Sequence, residues 1–161
     1  MNSLKKLMPW RFTLICTIVV LSLLNILSFY GLYSEKFYLF KVGNYIFPLM
    51  TLVHFVFLYV MCFKIKEEEL SDPQMRNLEY ALYFIFSFYL YKFGETIYKL
   101  FSVNQFEEHL IPASFVPMAI VMAVLYGLLL ILGVMTYKYR TEMVGDYNFN
   151  QMNQHVDSWK S

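Results

Sequence analysis

Residues 80–100 read YALYFIFSFYLYKFGETIYKL. At a rise of about 1.5 Å per residue, a helix over this run is long enough to cross a hydrocarbon core about 30 Å thick. It nevertheless carries Lys92, Glu95 and Lys99 within its span. An ionised side chain near the bilayer centre costs at least roughly 2.5–3.5 kcal/mol on insertion scales. How the rest of the chain accommodates that cost decides the fold.

Three further apolar runs of similar length surround it, over 12–31, 44–63 and 115–134. None alternates like a barrel strand, and backbone groups in lipid must be satisfied within the segment, so each run predicts a helix. The expected fold is all-α: a polytopic integral membrane protein whose residues 1–140 form a four-transmembrane-helix bundle with short loops. A polar cytoplasmic tail over 141–161 follows, rich in Asn, Gln and Asp and without an apolar period, so disorder or a short docking segment anchored by Tyr147 and Trp159 is expected there.

Composition agrees, since 58% hydrophobic against 16% charged is unlike a soluble domain. The aromatic share of 20% fits a lipid-facing surface with interfacial tyrosines such as Tyr30, Tyr33, Tyr38, Tyr45, Tyr137 and Tyr139. A formal charge of +1 gives no sign of a nucleic-acid partner. Lys5, Lys6 and Arg11 ahead of the first apolar run imitate a secretory signal, but the run is too long and ends in SFYGLY, 28–33, without a small-x-small cleavage pattern. It is expected to remain as an anchor.

Orientation follows from the short loops. Lys5, Lys6, Arg11, Lys64, Lys66, Arg76, Lys138, Arg140 and Lys160 fall on one side, against Lys36 and Lys41 on the other with Lys99 at its border. Both termini are expected to be cytoplasmic, with a bacterial plasma membrane as the default location. Cys16 and Cys62 then lie toward the reducing side without a Cys-x-x-Cys, and read as small apolar residues.

Helix ends are signalled locally. Ser71-Asp72-Pro73-Gln74 supplies an N-cap, a proline for the first helical position and a glutamine that completes a capping box with Ser71, so the third helix should start in water before the membrane face. The KIKEEE run, 64–69, reads as a solvated helix end and turn. Asn104 and Glu107 resemble a second cap, for a short interfacial helix with Phe106, Leu110 and Ile111 that Pro112 ends, and Ser114 is placed to cap the fourth helix. Glu107, Glu108 and His109 superficially suggest a metal, but adjacent residues point in different directions and no second ligand cluster accompanies them.

If 80–100 spans the core, Lys92 lies about 3 Å and Glu95 about 8 Å to the outer side of the midplane. Spacings of three and four put Lys92, Glu95 and Lys99 on one helix face, which must turn toward protein or water. His54 falls near the middle of the second run with Thr51 beside it, and Asn25 lies about 5 Å outward of centre in the first. A cluster of Asn25, His54, Lys92 and Glu95, with Lys99 at its edge, is therefore expected. It serves either as a pair that fixes helix register or as a pathway or pocket. His54 alone reads most simply as a neutral imidazole bonded across a helix interface. A haem held within one copy lacks a second histidine at suitable depth, although a symmetric dimer could present two copies of His54; no cofactor and no metal is expected.

In the fourth run Ala119, Ala123 and Gly127 recur every four residues, a face that lets another backbone approach closely, from this chain or a neighbouring copy. Three functional classes follow. The first is an oligomeric membrane protein whose third helix lines a polar path for ions, protons or a small molecule, an effector pore included. The second is an accessory or assembly subunit of a larger membrane complex. The third, an intramembrane enzyme using His54 and Glu95 as acid and base, is weakest, because no nucleophile or cofactor accompanies them. The bilayer and either further copies or a larger complex are the expected partners.

Overall fold

The computed structural model describes residues 9–105, 111–145 and 147. Among the described residues four helices carry the fold: α1 (Trp10–Leu27), α2 (Ile46–Glu67), α3 (Pro73–Phe101) and α4 (Phe115–Val144). Short 3-10 turns, Val42–Tyr45 and Ser102–Gln105, lead into α2 and out of α3. The described residues are all-α apart from a two-residue antiparallel pairing of β1 (Tyr30–Gly31) with β2 (Lys36–Phe37) in the α1–α2 loop.

Helix α4 packs against all three others and α3 packs between α2 and α4, while α1 and α3 barely meet across the diagonal. The core runs along the bundle axis through Leu21, Leu24, Phe57, Leu82, Ile85, Tyr89, Tyr126, Leu129 and Leu132. Three helical stretches, Trp10–Leu27, Val42–Glu67 and Phe115–Val144, are long and apolar enough to cross a membrane, which marks the chain as a membrane protein. Helix α3 is not among them, although its 29 residues nearly match the 30 of α4. Arg76, Glu79, Lys92, Glu95 and Lys99 lower its apolar character.

The small residues of α4 serve packing inside the chain. Ala119 and Ala123 are buried, and Gly127 lies against Phe93 of α3. Gly133, further along α4, meets the Phe86 ring so closely that an added Cβ would stand 2.6 Å from it. That closest approach was not among the positions read from the four-residue spacing.

Several boundaries differ from the sequence expectation. Helix α1 ends at Leu27 rather than 31, because the chain turns into the β1–β2 hairpin, where Tyr38 lies over Gly31 and leaves no room for a side chain. Asp72, not Ser71, caps α3: its carboxylate accepts from the Met75 amide at 2.7 Å, and Pro73 takes the first helical position. The KIKEEE run is not wholly solvated. Lys64 is buried, with Nζ 3.0 Å from Asp72 and 3.3 Å from Glu69, and it donates to the Leu70 carbonyl, stapling the end of α2 to the start of α3. Burial tends to raise the Asp72 carboxyl, but the Met75 amide and Lys64 outweigh it and hold the group below its ordinary range.

Ser114 precedes α4 without capping it; its hydroxyl turns instead to Glu35 and Tyr30 and ties the hairpin to the start of α4. Helix α4 continues to Val144, ten residues beyond the apolar run, so the first part of the expected tail is helical. The side chain of Asn104, residues 106–110 with Glu107, Glu108 and His109, and the tail from 148 with Trp159 lie outside the described residues.

Candidate functional site

The polar groups read from the sequence separate into three places. Lys92, Glu95 and Lys99 stay together. Glu95 Oε2 accepts from Lys92 Nζ at 2.8 Å and Oε1 from Lys99 Nζ at 2.6 Å, a ladder held by the spacings of three and four along α3. All three side chains are about one-third exposed or less. They line a cavity of about 670 Å³ at the end of the bundle that carries the α1–α2 loop. Lys92 also stands 5.9 Å from the centre of the Phe88 ring.

The cavity is a vestibule with distinct walls. One wall is α3 with its ladder and Thr96, whose hydroxyl bonds back to the Lys92 carbonyl. The opposite wall is the α1–α2 loop, which adds Lys41, Asn44, Ser34 and the tyrosines Tyr30, Tyr33 and Tyr38. Its acidic and basic lining is Lys41, Lys92, Lys99 and Glu95, so three positive charges meet one negative and leave a formal surplus of two. The floor is Phe47 of α2 with Met122 and Tyr126 of α4. There the rings close up: Phe47 lies 5.5 Å from Tyr89 and 5.9 Å from Tyr126, and all three are buried.

His54 lines neither this vestibule nor the groove described next. It is 1% exposed, stacked on Tyr89 at 5.9 Å, with Nδ1 3.4 Å from the Tyr89 hydroxyl and Nε2 without a hydrogen-bond partner. Thr51, one turn earlier, bonds to its own helix. Asn25 faces a different space, an apolar groove of about 790 Å³ between the end of α1 and the start of α2, and its Oδ1 is buried without a partner. The expected four-residue cluster is therefore not one site. Among the described residues no three His, Cys, Asp or Glu side chains gather to hold a metal.

A second charged centre, absent from the sequence reading, closes the opposite end. Glu79 of α3 is 2% exposed and accepts from Arg140 Nη2 at 2.7 Å, from Tyr83 at 2.5 Å and from Tyr147 at 2.6 Å. Arg140 also donates to the Gly145 carbonyl and lies over the Tyr147 ring. Burial, reinforced by the bond to Glu79, pushes the Tyr147 phenol above its usual range. Every oxygen of this carboxylate is engaged, so it holds α3 to α4 and offers no open coordination. The spacing of four between Glu79 and Tyr83 was the available signal, and Glu79 lies just before the apolar run.

The chain is a helical membrane protein with a cationic, tyrosine-rich vestibule at one end and a sealed ion pair at the other. Comparisons with protein-family models, with curated proteins and with solved structures find no match.

Proposed function

We propose that the chain is a four-span, self-associating membrane protein that takes an anionic small molecule into its vestibule as the entry end of a transport-like polar pathway. The observation that carries this reading is the Lys92–Glu95–Lys99 ladder lining one cavity with Lys41, where charge surplus and hydroxyl donors together favour an anion. The Phe47, Tyr89 and Tyr126 rings beneath make this the closed state of the path. Passage requires them to part.

Support for α3 as the fourth span comes from its place between α2 and α4 and its matching length. With the lysine-poor loop outward, the vestibule faces outside the cell. Self-association is supported by the outer face of α3, where Tyr80, Phe84, Ser87, Tyr91, Gly94, Tyr98 and Phe101 are all exposed at alternating intervals of four and three. That is the seam of a helix pair, with hydroxyls poorly suited to lipid tails. A foreign subunit covering the same seam is the second reading, and it is distinguished by what co-purifies in mild detergent.

Calorimetric titration of the chain in lipid nanodiscs with glycerol phosphate, against glycerol, tests the anion site. Lys41→Glu, on an exposed loop, is expected to weaken binding about tenfold, equivalent to about 1.4 kcal/mol. Glu95→Gln, which raises the positive surplus, is expected to tighten it. Opposite signs are required; equal affinity in all three proteins defeats the proposal.

A further inference from the structure

The vestibule and the apolar groove are neighbours separated by one short segment. Over the turn that leads into α2, Lys41, Gly43 and Asn44 face the vestibule, Val42 and Tyr45 face the groove, and Ile46 lines both. The end of α1 divides in the same way, with Leu27 and Ser28 toward the vestibule and Ile26 and Phe29 toward the groove. A cationic chamber thus adjoins a trough of aliphatic and aromatic side chains, among them Leu39, Leu49 and Leu52, more than half exposed.

We infer that the vestibule's ligand is an anionic phosphate-bearing lipid, its head among Lys41, Lys92 and Lys99 and one chain lying in the groove past Ile46. This rests on the anion-binding reading above and names its ligand class. Charge complementarity selects the head: the positive surplus attracts the negative charge of a lipid phosphate, and the serine, asparagine and tyrosine donors around it suit its oxygens. The groove selects the rest of the molecule, because a soluble anion leaves it unused while an acyl or isoprenoid chain fills it. Depth is consistent with this. With α3 as a span, Lys99 near its outer end falls toward the headgroup level, and Lys92, about two turns below, draws a phosphate beneath its ordinary plane.

The test uses native mass spectrometry of the full chain from dodecyl maltoside micelles, with dioleoyl phosphatidylglycerol, dioleoyl phosphatidylcholine and glycerol phosphate as probes. The expected result is phosphatidylglycerol bound at least tenfold more tightly than either of the others. Leu49→Trp, which fills the exposed groove, is expected to remove most of the advantage over glycerol phosphate, and Lys41→Glu the advantage over phosphatidylcholine. If glycerol phosphate binds as tightly as the lipid, or Leu49→Trp changes nothing, the lipid inference falls while the anion vestibule stands. If no probe is preferred over phosphatidylcholine and glycerol phosphate does not bind, both fall together.

Discussion

Glu79 shows how a single carboxylate becomes tolerable inside a helical bundle. Two phenols and one guanidinium satisfy it, and the pair ties α3 to the last turns of α4. Removing only the cation leaves an uncompensated buried charge, so Arg140→Gln is expected to cost about 3–5 kcal/mol. Adding Glu79→Gln should recover a large part of that loss, because the residual pair is neutral. Thermal unfolding of both variants in detergent checks this, and a double variant no more stable than the single one contradicts it. Sequence alone gave Arg140 only a vote on orientation. Its partner is 61 positions away, and no periodicity within one helix connects them.

Lys92, Glu95 and Lys99 were legible for the opposite reason. Their pairing is local, at intervals of three and four, and helix geometry alone brings them together. Asn25 and His54 sit on two other helices, so their position relative to that ladder depends on helix rotation, which depth does not specify. The structure turns one into a groove and the other against Tyr89.

At the scale of elements, the α2–α3 turn is held by charge. Asp72 serves as both helix cap and partner of buried Lys64, and Asn retains the first role while losing the second. Because the native carboxyl is depressed, its contribution is fully present above the unfolded value of about 3.9 and disappears as pH falls through the lower native value. Asp72→Asn is therefore expected to melt below wild type at pH 7, with the gap closing toward pH 3. A gap independent of pH would show that the charge is idle.

Two glycines separate the inside of the bundle from its proposed outer seam. A side chain at Gly133 collides with Phe86, so Gly133→Leu should destabilise the single chain by overpacking, typically about 1–3 kcal/mol. A Cβ at Gly94 meets nothing within 4 Å. Gly94→Leu is expected to leave the melting of the monomer intact while reducing its association, read by sedimentation in detergent. The same oligomer size for Gly94→Leu and wild type would remove the seam from consideration.

For the whole molecule, helix number and order were visible in the apolar runs, and three of those runs coincide with stretches able to cross a membrane. The fourth, α3, is the one whose charged side chains make it less apolar than the other three. Cysteines introduced at Leu70 and Ala113, before and after α3, should label from opposite faces of sealed vesicles once Cys16 and Cys62 are replaced, with Phe40→Cys sharing the face of Ala113. Labelling of both from one side would leave α3 outside the bilayer core. The hairpin was not legible, because the FYGLYSEKF stretch offers aromatic residues suited equally to a helix end or an interfacial turn, and only the approach of Tyr38 to Gly31 decides between them.

The contact of α4 with every other helix has a consequence for biogenesis. The helix that completes the bundle is also the last of the four to leave the ribosome, and it brings the guanidinium that Glu79 requires. Until then the nascent chain holds three segments and lacks the Arg140 guanidinium that ties Glu79 to α4. A chain halted before α4 emerges is therefore expected to lack the cross-helix tie that fixes α3 in the bundle.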